Sequence, residues 1–360
     1  MVDINTGSNK DDTISNGNHQ INSKPSSSYD IGQPHQRHFA LAGLSSGCLT
    51  RFLCQPLDVL KIRLQLQIEP ISRTSESSKY RSVAQTFTCI IREESLFALW
   101  KGHVSAQILS GIYGMVSFSS FELFKRISSN WISSHQQIIS QDCALLSQPL
   151  INFFCGSLSG FCATLFSHPF DVVRTRIISQ SEHPKTYLST YSALKSIAYK
   201  EGLNGFYRGF LPMITQIMPL SGIQFASYHL FKKLWRQQFQ CDHYPIQLGL
   251  HLHFNIQSSF ICGAMAGTVA KFLVYPLDLI KKRLMIRGFE HARGSNFGKV
   301  PHYKGFIHCI VHTMENENLA AFYKGLLPSL FKANLTTALY FWLYESILLM
   351  MIKADESRQR

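Results

Sequence analysis

The sequence is poor in charged residues for its length. Asp, Glu, Lys and Arg make up 16% of its 360 residues, whereas hydrophobic residues make up 45%. A soluble domain usually carries about 25% charged residues, so this chain cannot cover a water-facing surface in the ordinary way. Disorder of most of the chain is excluded as well, because disorder requires low hydrophobicity and high charge. What remains is a membrane protein with a polar interior, or a protein with an unusually large core.

Several common site patterns are also missing. The 9 cysteines form no C-x-x-C pair and no zinc-finger spacing, and no Glu stands between His308 and His312 in the manner of a zinc protease. The sequence contains no Gly-rich phosphate loop, paired catalytic carboxylates or nucleophile elbow. We therefore expect no metal, no cofactor and no catalytic residues. Residues 1–35 are polar and lack an apolar signal segment, so we expect a disordered tail.

One pattern occurs three times along the chain. Residues 56–63, 169–176 and 276–283 read P-L-D-V-L-K-I-R, P-F-D-V-V-R-T-R and P-L-D-L-I-K-K-R. Each copy is followed by an acid (Glu94, Glu201 or Glu317) and then by an aromatic residue, a base and a glycine. Internal repeats of this kind define the units of a fold. We divide the chain into the tail 1–35 and the repeats 36–140, 141–250 and 251–360.

Each repeat contains two long apolar segments. The six segments lie near 39–66, 102–127, 150–178, 209–236, 256–287 and 325–353, and each exceeds the ~20 residues that a helix needs to cross a bilayer. The predicted fold is an all-α membrane protein with six transmembrane helices in three pseudosymmetric two-helix repeats around a central cavity. The loops within the repeats are basic and should share one side of the membrane, with both termini on the other. Because the basic charge is spread over these loops, nucleic-acid binding is not expected.

Each repeated motif places an acid and a base at membrane depth, where a charge costs about 2.5–3.5 kcal/mol and needs a partner. The acids are Asp58, Asp171 and Asp278, and the bases are Lys61, Arg174 and Lys281. Each acid could pair with the base three residues later on its own helix. Three equal copies favour another arrangement, in which each helix offers its acid to one neighbour and its base to the other. The result would be a closed ring that seals one end of the cavity.

A second seal is predicted on the even-numbered segments, where an aromatic residue and an acid precede a base. Its residues are Glu122, Lys125, Lys232 and Glu345. His229 replaces the second acid and Leu348 replaces the third base. At most two of the three possible ion pairs can therefore form.

Polar residues within the apolar segments predict what the cavity holds. Arg51, Thr164 and Lys271 lie seven residues before the ring acids and so share their faces. The even-numbered segments contribute Gln107, Gln216, Lys332 and Asn334, although Lys332 and Asn334 fall on different faces of an ideal helix. We expect Arg51, Lys271 and Lys332 to be unpaired and to bind an anion of several charges. At the starts of the even segments, Gly102, Gly209 and Gly325 each follow a base, a combination that suits a lipid phosphate.

From Phe39 to the C-terminus, the thrice-repeated P-x-[DE]-x-x-[KR] motif resembles the mitochondrial carrier family. The resemblance implies alternating access in the mitochondrial inner membrane, three short matrix helices and termini in the intermembrane space. It implies that the ring is the matrix gate, that Gln65 braces it, that the second seal is the cytoplasmic gate and that the three glycines hold cardiolipin. A monomer is expected. Ser95 departs from the family pattern, which has glycine after the acid.

Several strings resemble family members that carry thiamine pyrophosphate, notably W-K-G-H-V-S-A-Q-I-L-S at 100–110 and G-F-E-H-A-R at 288–293. The resemblance implies that thiamine pyrophosphate enters the matrix in exchange for nucleotides. Residues 216–217 read Q-I, which differs from the glycine and aliphatic residue of adenine-nucleotide carriers. Two alternatives stay open: another nucleotide or coenzyme A carrier, and an uncoupler-type proton-leak protein.

Overall fold

The computed structural model describes residues 36–69, 71, 78–134, 141–180, 185–239, 248–293 and 301–359. The predicted tail lies outside these residues. Six helices are long: α1 Gln36–Leu66, α3 His103–Ser134, α4 Gln141–Ser179, α6 Phe210–Phe239, α7 Leu248–Met285 and α9 Leu326–Gln359. Three are shorter: α2 Val83–Glu93, α5 Thr190–Phe206 and α8 Phe306–Glu317. The described part of the chain contains no strand.

The long helices coincide with the six apolar segments and join the three repeats in a closed circle. Helix α3 packs along α4, α6 packs along α7, and α9 returns to pack along α1. Helices α1, α4 and α7, which carry the repeated motif, also contact one another. The short helices α2, α5 and α8 each contact the motif helix of their own repeat. The motif residues of all three repeats are thereby brought to one place.

The outer surface of the long helices is apolar. Phe118, Phe331 and Trp342 are large, exposed side chains, and many other apolar residues accompany them. Water-soluble proteins rarely expose apolar surface on this scale. By length and hydropathy, Ile261–Met285 and Leu319–Asp355 meet the criterion for a membrane span, and no other described helix does. A helix that lines a polar cavity needs only one apolar face, which lowers its mean hydropathy.

Prolines interrupt the hydrogen bonding of the three motif helices. Pro56 lacks the N–H that would bond to the carbonyl of Phe52, and Pro169 leaves the carbonyl of Leu165 free in the same way. The indole N–H of Trp100 donates to the Phe52 carbonyl at 3.0 Å. The Tyr207 hydroxyl donates to the Leu165 carbonyl at 3.4 Å. In repeats 1 and 2, the aromatic residue that follows the loop acid thus satisfies the carbonyl that the helix proline releases.

The residue after each loop acid, Glu94, Glu201 or Glu317, adopts a backbone conformation that favours glycine. Gly202 occupies it with φ 65° and ψ −159°, and Asn318 with φ 71° and ψ 166°. Ser95 has φ 137° and ψ 167°, a region that is essentially restricted to glycine. Ser95, the departure from the family pattern, is therefore a strained position.

We expect Ser95→Gly to stabilise the protein. Strain of this kind costs of order 1–3 kcal/mol, so the thermal unfolding midpoint of the purified protein should rise. Gly202→Ala is the matched control and should lower the midpoint. A Cβ at Gly202 would meet no atom within 4 Å, so only backbone strain could cause that loss. Unchanged midpoints in both variants would contradict the assignment of strain.

Candidate functional site

Three ion pairs join the motif helices in a closed ring. They are Asp58 with Arg174, Asp171 with Lys281 at 2.8 Å, and Asp278 with Lys61 at 2.6 Å. Each pair connects two different helices, α1 to α4, α4 to α7 and α7 to α1. The acids and bases therefore do not pair three residues apart on their own helices. All three acids are at most 9% exposed.

Two further lysines contact the ring. Lys282 Nζ lies 2.7 Å from Asp171 Oδ1, and Lys332 Nζ lies 2.5 Å from Asp58 Oδ1. The ring therefore holds five cations on three carboxylates, a formal excess of two positive charges. The prediction that Lys332 is unpaired was wrong. Helix α9 packs along α1, which brings Lys332 to an acid that offsets the cost of its burial.

Gln65 contacts the third ion pair. Its Nε2 donates to Asp278 Oδ2 at 3.2 Å and to the Tyr275 hydroxyl at 3.0 Å. Gln65 is fully buried. A neutral donor on the carboxylate supports the Asp278–Lys61 pair without adding a further charge.

Two cavities adjoin the ring. The first, of about 250 Å³, lies among α1, α3 and α9 and includes Thr50, Arg51, Gln55, Asp58 and Lys332 in its lining. The second, of about 330 Å³, lies among α1, α6 and α7 and includes Lys61, Gln216, Gln224, Lys271 and Tyr275. Each cavity is bounded by a ring acid and contains a cation from the helical turns before that acid.

The predicted cavity cations differ in their partners. Arg51 makes no hydrogen bond or ion pair with any described residue. Lys271 Nζ donates to the Ser329 carbonyl at 3.0 Å. Arg51 and Lys332 line the first cavity, whereas Lys271 lines the second. The three cations therefore do not form one unpaired cluster, because their helices face two separate spaces.

The predicted polar residues are also distributed unequally. Gln216 lines the second cavity. The Oγ1 of Thr164 is buried and has no hydrogen-bond partner among the described residues. Gln107 donates to the Cys48 carbonyl at 3.0 Å and so links α3 to α1. Asn334 is exposed and lines neither of the two cavities beside the ring.

A second charge network, which the sequence analysis did not predict, lies next to the ring. The last residue of each first motif is an arginine, at most 2% exposed, that binds the acid of the second motif through two nitrogen–oxygen contacts of 2.5–2.9 Å. The pairs are Arg63 with Glu94, Arg176 with Glu201 and Arg283 with Glu317. A second base, Lys101, Arg208 or Lys324, reaches the same carboxylate at 2.5–2.8 Å. The sequence signal for this network was that the arginine and the loop acid each recur in all three repeats.

The electrostatics of this network are illustrated by Glu94. Burial raises the pKa of its carboxyl, but hydrogen bonds and charge interactions with Arg63 and Lys101 outweigh burial and lower that pKa below its ordinary value. The carboxylate is therefore the form that the folded state holds at neutral pH.

The three helix-start glycines lie against the motif helices. Gly102, Gly209 and Gly325 all have positive φ. A Cβ at Gly209 would lie 2.8 Å from the Lys281 carbonyl, and one at Gly325 would lie 3.0 Å from the Lys61 carbonyl. Only glycine permits this approach. The bases beside these glycines are already paired with carboxylates, namely those of Glu94, Glu201 and Glu317.

The residues of the predicted second seal are apart from one another. Glu122 pairs with Arg126 at 2.6 Å on its own helix, and the Lys232 Nζ donates to the Tyr228 hydroxyl at 3.3 Å. Lys125 and Glu345 are exposed. Within the described residues no ion pair joins these four predicted gate positions. Ion pairs thus join the motif helices at the ring, whereas the four predicted gate positions are not joined to one another in the described part of the chain.

A family model described as mitochondrial carrier protein matches residues 35–130, 147–239 and 253–355. The chain belongs to the mitochondrial carrier family. As a member it is a transporter of the mitochondrial inner membrane and not an enzyme. The second and third matches lie within the predicted repeats 141–250 and 251–360, and the first begins one residue before the repeat 36–140.

The carrier is also similar to individual proteins. It is 42% identical over 306 residues to the human mitochondrial thiamine pyrophosphate carrier, which covers 85% of this chain and 89% of the relative. It is 35% identical over 323 residues to mitochondrial thiamine diphosphate carrier 2 of Zea mays, covering 86% and 92%. It is 32% identical over 319 residues to mitochondrial thiamine pyrophosphate carrier 1 of Aspergillus oryzae, covering 87% and 92%.

We expect Glu94→Gln to destabilise the carrier by about 3–5 kcal/mol at neutral pH, because Arg63 would keep a buried charge without its carboxylate. The carboxyl's pKa is lowered by folding, so its contribution is present above the ordinary pKa and is lost as pH falls through the folded-state value. The thermal unfolding midpoints of the native carrier and of Glu94→Gln should therefore approach each other as the pH is lowered.

The control is Glu122→Gln, which removes an exposed ion pair between residues four apart. Such pairs contribute less than about 1 kcal/mol. Equal losses in the two variants would contradict a special role for the buried network.

Proposed function

We propose that this carrier imports thiamine pyrophosphate into the mitochondrial matrix in exchange for nucleotides. The observation that carries the proposal is the excess of positive charge at the bottom of the helix circle. Five cations bind three carboxylates there, and Arg51 and Lys271 add two more in the adjoining cavities. A pyrophosphate group, with roughly two to three negative charges near neutral pH, is complementary to this surplus. The names of the similar carriers support the same substrate.

The proposed mechanism is alternating access between two gates. The six long helices span the membrane as repeats 36–140, 141–250 and 251–360. The closed ring is the matrix gate, supported by Gln65. Glu122, Lys125, Lys232 and Glu345 form the cytoplasmic gate, which is open when the ring is closed. In this orientation both termini face the intermembrane space.

We extend the proposal to lipid and oligomeric state. Gly102, Gly209 and Gly325 hold cardiolipin phosphates through the backbone N–H groups of the helix starts. Because their neighbouring bases are paired with acids, the N–H groups supply most of that attraction. The carrier acts as a monomer, since α9 of the same chain packs on α1 and completes the circle.

We expect Asp278→Lys to abolish exchange by placing two lysines against each other at the gate. The double change Asp278→Lys with Lys61→Asp should restore part of the activity, because it inverts the pair without removing it. This pair is the best choice because Asp58 and Asp171 each hold two cations. The measurement is uptake of labelled thiamine pyrophosphate into proteoliposomes. Absence of any recovery would contradict the gate assignment.

We expect neutralisation of a cavity cation, Arg51→Gln or Lys271→Gln, to weaken thiamine pyrophosphate binding. Loss of one charge-assisted contact corresponds to a ~10- to 100-fold rise in Kd. The measurement is thermal stabilisation of the purified carrier by thiamine pyrophosphate and by unphosphorylated thiamine. The exposed Lys200 provides the control Lys200→Gln, which should bind normally.

Other results of these assays would favour other functions. Equal stabilisation by thiamine and its pyrophosphate would contradict the role of the cations. Stabilisation by nucleotides or coenzyme A alone would indicate another carrier of the family. A proton leak that needs no counter-substrate would indicate an uncoupler.

A further inference from the structure

Three unlike residues make one equivalent hydrogen bond. Gln55, His168 and Tyr275 each stand immediately before the helix proline of their repeat, and we call them the pre-proline residues. Their side chains are at most 1% exposed. The acceptor is in each case the carbonyl of the base before a helix-start glycine: Lys101 for Gln55 at 2.8 Å, Arg208 for His168 at 3.1 Å and Lys324 for Tyr275 at 2.9 Å.

These bonds run opposite to those that satisfy the proline-released carbonyls. In repeat 1, Trp100 donates from the turn to the helix at Phe52, while Gln55 donates from the helix to the turn at Lys101. Repeat 2 contains the same two-way connection. In repeats 1 and 2, the proline turn of the motif helix and the start of the following long helix are therefore connected in both directions.

Two pre-proline residues also contact the ring. Gln55 Oε1 accepts a hydrogen bond from Arg174 Nη2 at 3.1 Å, and Arg174 binds Asp58. The Tyr275 hydroxyl accepts from Gln65 at 3.0 Å, and Gln65 also donates to Asp278. The turns before Gly102 and Gly325 are thus connected to ring ion pairs, the first through Gln55 and the second through Tyr275 and Gln65.

We propose that the pre-proline residues are positioning residues of the matrix gate, which hold the motif helices so that the ring acids and bases meet. The proposal rests on the gate role given above. The requirement is a hydrogen-bond donor of sufficient reach, and an amide, an imidazole and a phenol all supply one. This explains why the position shows no repeat in the sequence.

The first test measures opening of the ring without any substrate. Met285 lies seven residues beyond Asp278 and is fully buried, on the opposite side of the ring from Lys271. In a variant without the native cysteines, Met285→Cys should react with a maleimide only when the ring opens. Gln55→Met and Tyr275→Phe should each accelerate the reaction by about 3- to 10-fold. This is the rise in the open fraction expected when the closed ring loses one or two hydrogen bonds.

Two controls separate positioning from general loosening. The Tyr323 ring lies 6.3 Å from the Tyr275 ring, and its hydroxyl makes no hydrogen bond with a described residue, so Tyr323→Phe should leave the labelling rate unchanged. Gln55→His introduces the donor that repeat 2 uses and should return the rate towards that of the parent. Equal acceleration in Tyr323→Phe, or no acceleration in Gln55→Met and Tyr275→Phe, would overturn the proposal.

The second test retains the native cysteines and uses exchange in proteoliposomes. A less stable closed ring lowers the fraction of carrier that can bind external substrate, and the apparent affinity falls with that fraction. KM should rise in Gln55→Met and recover in Gln55→His. Failure of recovery would overturn the proposal. Because the labelling test needs no substrate, a wrong substrate assignment would affect only this second test.

Discussion

The whole arrangement depends on pairing each buried acid of the motif helices with a base on a neighbouring helix. Each motif helix carries an acid and a base that point to different neighbours, so no helix can satisfy its own charges. Buried ion pairs add little net stability, but removal of one partner is costly. A ring of Asp58, Asp171, Asp278 and their bases in which one pair is broken is therefore strongly unfavourable in free energy. This property suits the proposed gate, which would be either closed or fully rearranged.

The three pairs are equivalent in position but not in composition. Asp58 is contacted by a second cation from α9, and Asp171 by the lysine that follows Lys281 on α7. The additional contact of Asp278 is with the neutral Gln65. The surplus of positive charge is thus concentrated on two of the three pairs. An anion that enters the first cavity meets Lys332 already bound to Asp58, so the anion and the ring compete for one ammonium group.

Helical spacing and threefold repetition were sufficient to predict the long helices and the partners within the ring. Both depend on geometry that each repeat carries in itself. The environment of Lys332 could not be predicted, because a helical wheel gives the face of a residue but not which neighbouring helix it meets. The Arg63–Glu94 pair was missed because no periodicity connects two motifs that are separated by a loop. The role of Gln55, His168 and Tyr275 was not predicted, because the three residues have in common a hydrogen-bond donor and not a residue type.

The packing of α9 along α1 has a consequence for folding. These are the first and the last of the described long helices, so their contact joins residues of very large sequence separation. Until α9 packs along α1, Asp58 lacks the ammonium group of Lys332. Contacts of such large separation are slow to form, because a long loop must close first. The same contact that closes the circle of repeats is therefore expected to be among the last to form.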